Sequence, residues 1–214
     1  LHTGNIHLKD DSTLEVFDAI DFNPSLRFID PISEIAFLMM DLNALNFKKG
    51  SMQLINNWLE ETGDYNGLKL LRWYLSYRAL VKAKVKAIKW KQLTSRKYLS
   101  KIENIEIKKL SQDINLYLDK AKQFQVGKPS ALILMHGLSG SGKSYLSEYL
   151  CNELPAIRIR SDIERQRVIG NRSIQKEIGI RKARIERNRD LQRFNNNPYT
   201  PEVTKLLFEH LLPS

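Results

Sequence analysis

Gly137-Leu138-Ser139-Gly140-Ser141-Gly142-Lys143-Ser144 is the segment whose residue types and spacing most directly imply chemistry. It fits the pattern G-x-x-x-x-G-K-[ST]. Glycines at 137, 140 and 142 let the backbone turn tightly, so that successive N–H groups point inward and form a nest for phosphate oxygens. The positive end of a helix starting near Lys143 adds a field that favours an anion. Lys143 would reach the β- and γ-phosphates of a nucleoside triphosphate, and the Ser144 hydroxyl would ligate magnesium. Tyr145 closes the phosphate-binding set. The bland alternative is a glycine-rich turn that matches by accident. Context opposes it, because residues 131–135 read as a buried strand before the loop and residues 145–153 as a helix after it.

A carboxylate stands further along. Residues 156–160 read as a second strand, and Ser161-Asp162-Ile163-Glu164 forms an S-x-x-E capping box with Ser161 as N-cap. Asp162 therefore falls at the carboxyl end of a strand, beside the crevice where open parallel sheets bind ligands. There it could accept a proton from a substrate hydroxyl, with Arg165 or Arg167 holding an anionic substrate group. Equally, it could simply complement the helix dipole.

The chain has 214 residues, 42% apolar, 27% charged and 9% aromatic. Such a composition reads as one or two globular domains and excludes collagen, a disulfide scaffold and wholesale disorder. The longest apolar runs, 35–40 and 131–135, fall far below the roughly 18 residues of a membrane helix. The single cysteine, Cys151, fits a reducing cytosol, and no charged-then-apolar leader opens the chain. The expectation is a cytoplasmic protein without a membrane partner. A net charge of +10 favours polyanions, from nucleotides to nucleic acid.

Residues 5–22 alternate as a β-hairpin around Lys9-Asp10-Asp11-Ser12. From Pro31 the period becomes helical. Between 68 and about 91, Leu71, Tyr74, Leu75, Val81, Val85 and Ile88 form an apolar stripe, and Lys82, Lys86 and Lys89 a stripe read as a solvated face. Another helix spans about 105–124. Gly127-Lys128-Pro129-Ser130 is the linker signal. The expected organisation is a mostly helical domain over 1–126, a linker over 127–130, and an α/β nucleotide-binding domain with a parallel sheet over 131–214. Within 169–197, Arg181-Lys182-Ala183-Arg184, Arg187, Arg189 and Arg193 form a basic stretch, read as a solvated helix face or a nucleic acid contact.

At this point families become visible. Residues 131–167 resemble the P-loop kinase module related to gluconate kinases, zeta toxins and polynucleotide 5′-kinases. That resemblance implies a role for Asp162 at the acceptor hydroxyl. The first half resembles the helical C-terminal lobe of aminoglycoside phosphotransferases, which share the protein-kinase catalytic core. Leu1-His2-Thr3-Gly4-Asn5 looks like the end of that family's catalytic loop, H-x-D-x-H-x-x-N, and Phe17-Asp18 like its magnesium-binding strand end. The gap of thirteen residues from Asn5 to Asp18 equals the one between the two metal ligands of kinase-like folds. Asp21, within Ile20-Asp21-Phe22, competes with Asp18. Phe22-Asn23-Pro24-Ser25-Leu26-Arg27-Phe28-Ile29-Asp30 and Tyr77-Arg78-Ala79-Leu80-Val81-Lys82-Ala83-Lys84-Val85 are similar to bacterial proteins that fuse both modules.

The departures from those families matter. The catalytic aspartate would stand just before Leu1, and no strand ending in an acidic residue follows Ile163. The resemblance therefore implies modules truncated at both ends, with Asn5 and Asp18 as remnants of a metal site. The expected function is ATP- and Mg2+-dependent phosphoryl transfer to an unknown hydroxyl-bearing acceptor, impaired by the missing parts. The alternatives are a basic RNA-binding or interaction module with a vestigial phosphate loop, and a nonfunctional remnant of a broken gene.

Overall fold

Helix-forming patterns dominate from Asp30 onward. The computed structural model, which describes residues 1–10, 12–18, 23, 28–127, 130–170, 201 and 204–205, is accordingly mostly helical. Asp21, residues 171–197 of the basic stretch and most of the segment expected to be helical from Pro201 lie outside the described residues.

A hairpin opens the chain. Strands β1 (Ile6–Leu8) and β2 (Leu14–Val16) pair antiparallel, with Ile6 opposite Val16 and Leu8 opposite Leu14. Its turn is closed by Ser12 N donating to Lys9 O and by Lys9 N donating to Thr13 O, both at 2.9 Å. Among the described residues the main helices that follow are α1 (Pro31–Ala44), α2 (Lys48–Thr62), α3 (Leu68–Thr94), α4 (Lys101–Gln125), α5 (Lys143–Glu153) and α6 (Ser161–Gly170). Their ends follow local chemistry. The Asp30 side chain accepts from Ile32 N at 3.0 Å, and Pro31 occupies the first helical turn of α1. Ser100 and Glu103 close a reciprocal capping box at the start of α4, at 3.2 and 2.8 Å. At the other end of α4, Arg72 of α3 donates to the carbonyls of Phe124 and Gln125 at 3.1 and 2.9 Å. These carbonyls have no partner within their own helix, so the guanidinium satisfies them.

The chain divides into two compact units, one of Leu1–Asn57 with Asp64–Ile157, the other of Trp58–Gly63 with the chain from Arg158. In the first, α3 packs against α1 and α4, and Ile32, Ala36, Met40, Ile55, Leu71, Leu75, Ala79, Leu110 and Ala121 are buried. Each large apolar side chain so enclosed contributes about 1.5–3 kcal/mol. In the second, Leu59, Glu164 and Val168 are buried.

Two expectations about faces and strands are corrected. The lysine stripe of α3 is an ion-paired edge: Lys82 reaches Asp41 of α1 at 3.3 Å, Lys86 reaches Asp113 of α4 at 2.7 Å, and Lys89 pairs with Glu106 of α4. The inner face instead carries Leu71, Leu75, Ser76, Ala79, Ala83 and Leu93, while Val85 and Ile88 are exposed, as are Trp73 and Tyr77. Small residues let neighbouring helices approach, and the long lysine stems lie along that boundary with their charges at acidic partners. The parallel sheet is also absent among the described residues, whose single sheet is the β1–β2 hairpin. Residues 131–135 form no ladder, and Leu132 and Leu134 are 84% and 80% exposed. A buried parallel strand needs neighbours on its edges and helices on its faces. Residues 156–160, the expected neighbour, likewise form no ladder.

Candidate functional site

The phosphate-loop residues sit in the first unit, in a turn that runs directly into α5. Gly137, Gly140 and Gly142 have φ of +148°, +78° and +81°, in the region that L side chains rarely adopt. Ser141 N donates to Leu138 O at 3.3 Å, which tightens the loop. Gly142 is the N-cap of α5, and no side chain caps that end. The first N–H groups of α5 are thus left for another acceptor. Lys143 folds over the loop, its Nζ donating to Gly137 O at 2.9 Å, Leu138 O at 2.5 Å and Ser141 Oγ at 3.3 Å. Ser139, Ser144 and Tyr145 stand exposed beside it.

Asn5 and Asp18 come together in the same unit. Asn5 is buried and donates from Nδ2 to Asp18 Oδ2 at 3.1 Å, and Phe17 N donates to Asn5 O at 3.0 Å. Asp18 has φ +65°, an unfavourable conformation for a residue with a side chain. The turn that carries Asn5 is anchored by residues the sequence reading did not single out. Asp41, buried in the apolar run of α1, accepts from Thr3 N at 3.1 Å and Thr3 Oγ1 at 3.0 Å and faces Lys82. Its Oδ1 is buried with no hydrogen-bond partner among the described residues. His2 packs on the Phe37 ring at 5.2 Å, and Arg78 and Lys82 lie over that ring at 5.0 and 5.3 Å. Burial, then the Lys82 charge, lowers the His2 pKa. A lone aspartate inside Leu38-Met39-Met40-Asp41-Leu42 was the available signal, since a buried carboxylate requires a partner.

In the second unit, Asp162 lies in the first turn of α6. Arg160 Nη2 donates to its Oδ2 at 2.9 Å. Burial pushes the Asp162 carboxyl up, but the Arg160 hydrogen bond and charge, with the N–H groups of Asp162 and Ile163, outweigh it and hold the carboxyl below its usual value. Helix α6 includes Ser161 itself, one residue earlier than a Ser161 N-cap places it. Glu164 is buried and its Oε1 accepts from Arg167 Nη1.

Arg165 and Arg167, the two arginines expected at a substrate anion, both lie on α6. Arg167 donates to Glu164 and to the Glu60 carbonyl, and its side chain fills the space where a Cβ at Gly63 would stand. Arg165 is half-buried. The cation that does touch Asp162 is Arg160, which sequence reasoning placed in a strand and left without a role. Lys143 belongs to the first unit and Asp162 to the second. Among the described residues no group of three or more His, Cys, Asp or Glu could hold a metal ion, and no helix is long and apolar enough to cross a membrane.

Comparison with known proteins adds the following. Residues 132–212 match the family model described as an AAA domain. Uncharacterized proteins of Mycobacterium bovis and Mycobacterium tuberculosis are 27% identical over 165 residues, which cover 77% of this chain and 30% of each relative. The chain thus spans less than a third of the length of those relatives. No solved structure matches. The domain match, together with the glycine loop inside it, supports a nucleotide-binding function of the P-loop NTPase kind for this segment.

Proposed function

We propose that the chain binds Mg-ATP at residues 137–145 and belongs to a phosphotransferase that delivers the γ-phosphoryl group to an acceptor hydroxyl. The observation that carries this reading is the loop itself. Three positive-φ glycines precede a helix whose first N–H groups have no side-chain cap, and a lysine bridges the loop carbonyls. This arrangement fits a polyphosphate. The backbone N–H groups of the loop hold its oxygens, and Lys143 exchanges neutral carbonyls for an anion, a charge-assisted and stronger partner. Ser144 would offer its hydroxyl to magnesium, which keeps several waters and takes few protein ligands. When bound, that ion neutralises charge on the transferring group.

Asp162, held ionised by Arg160, acts as the acceptor for the hydroxyl proton. The Asn5–Asp18 pair, presented by the hairpin and the Thr3–Asp41 anchor, is a second group able to face a metal, in keeping with the resemblance to a kinase-like lobe. The test is titration calorimetry with Mg-ATP and with ATP in EDTA, on the wild-type chain and Lys143→Ala. Saturable heat that needs magnesium and weakens at least tenfold in the variant is the expected result. Absence of heat with the wild type overturns the reading. RNA binding untouched by ATP and by Lys143→Ala would instead favour a basic RNA-binding module.

A further inference from the structure

Glu60, in the last turn of α2, shares its two carboxylate oxygens between two arginines a hundred residues away. Oε1 accepts from Arg160 Nη1 at 3.2 Å, and Oε2 accepts from Arg158 Nη2 at 3.3 Å. Arg160 turns its other terminal nitrogen, Nη2, to Asp162 Oδ2 at 2.9 Å. One guanidinium thus bridges two carboxylates that the sequence separates by 102 positions. The Glu60 backbone is also held, because Arg167 donates to its carbonyl while pairing with Glu164. All of these residues belong to the second unit.

We propose that Glu60 is a positioning residue for the Asp162 carboxylate, acting through Arg160. The proposal rests on the reading of Asp162 as the proton acceptor. A guanidinium released beside a single carboxylate prefers a two-pronged grip on both oxygens. With Nη1 committed to Glu60, the end-on grip through both terminal nitrogens is closed to Asp162, which takes a single bond from Nη2. Asp162 remains 54% exposed and open to an acceptor hydroxyl. The Glu60 charge also offsets part of the Arg160 charge, so the carboxylate keeps more of its basicity than Arg160 alone would leave it. Among the described residues, the charged groups shown to pair in this cluster are Arg158 and Arg160 on the segment before α6, Glu60 on α2, and Asp162, Glu164 and Arg167 on α6.

The experiment follows the Asp162 side-chain carboxyl by carbon NMR across a pH titration of the full chain. It compares wild type, Glu60→Gln, Arg160→Lys and Arg158→Met. In Glu60→Gln, Arg160 closes onto Asp162, and the acid dissociation constant of Asp162 rises about three- to tenfold. In Arg160→Lys, a compact ammonium cannot fork between two carboxylates, and the constant falls by a similar factor. Arg158→Met, which removes the partner of Glu60 Oε2 and leaves the Arg160 bridge in place, changes it by no more than about twofold. A Glu60→Gln constant that is unchanged, or that moves in the Arg160→Lys direction, overturns the proposal. If Glu60→Gln fails to fold, the Arg160→Lys shift decides, and its absence is equally fatal. The titration needs no nucleotide. Missing Mg-ATP heat would therefore sink phosphoryl transfer while leaving the bridge standing, and a missing shift would do the reverse.

Discussion

Replacing the loop glycines one at a time separates backbone strain from side-chain collision. Gly140 and Gly142 have φ near +80°, and a Cβ built at either meets nothing within 4 Å. Alanine there costs only the left-handed penalty, about 1–2 kcal/mol. If nucleotide binds only the cradle conformation, that cost is subtracted from the binding energy, and Kd rises about five- to thirtyfold. Gly137 differs, because its φ is +148° and its Cβ would stand 2.9 Å from Ser141 Oγ. That position is nearly closed to side chains, and the hydroxyl it would displace is one that Lys143 uses. Gly137→Ala should therefore be the most damaging of the three. Asparagine tolerates the left-handed region and valine does not, so Gly142→Asn should bind Mg-ATP better than Gly142→Ala, and Gly142→Val worst. Titration calorimetry at fixed magnesium reads the series, with circular dichroism to show that helix content is kept. Equal affinities across Asn, Ala and Val at 142, or a harmless Gly137→Ala, would refute the claim that the positive-φ cradle is the binding conformation.

Two further outcomes follow from buried polar groups. Asp41→Ala strands Lys82 and both Thr3 donors, and should cost about 3–5 kcal/mol in urea unfolding. Asp41→Asn combined with Lys82→Met should recover more than half of that loss, and no recovery would remove the ion pair from the explanation. The Tyr117 phenol is pushed up to about 12 from 10.0, first by burial and then by the Asp41 and Asp113 charges. The folded state therefore holds this proton more tightly than the unfolded chain. The associated stability is intact below pH 10 and is lost as pH rises from about 10 through about 12. Tyr117→Phe should flatten that part of the alkaline stability curve, measured by urea midpoints at successive pH values. An unchanged slope would contradict the burial argument.

The parts of this protein legible in its sequence are those decided by neighbours along the chain. Spacing alone marked the glycine loop with Lys143 and Ser144, because a phosphate nest and its following helix are built within about ten residues. Alternation marked the hairpin, an interaction of near neighbours. The Ser100–Glu103 box is just as local but went unread, so the helix expected from about 105 in fact starts at Lys101. What spacing could not reveal is who stands opposite. A lysine stripe and a solvated face share one pattern, and only the arrival of Asp41, Asp113 and Glu106 from other helices made Lys82, Lys86 and Lys89 an ion-paired edge. The apolar run before the loop has the composition of a strand, yet a strand exists only when another backbone pairs with it. Asp162 was visible as a carboxylate with Arg160 two residues before it, but the Glu60 behind Arg160 was brought there by folding over a hundred residues. Local backbone chemistry is written in the order of residues, whereas the sign and strength of a charge's surroundings depend on chain segments that meet only in three dimensions.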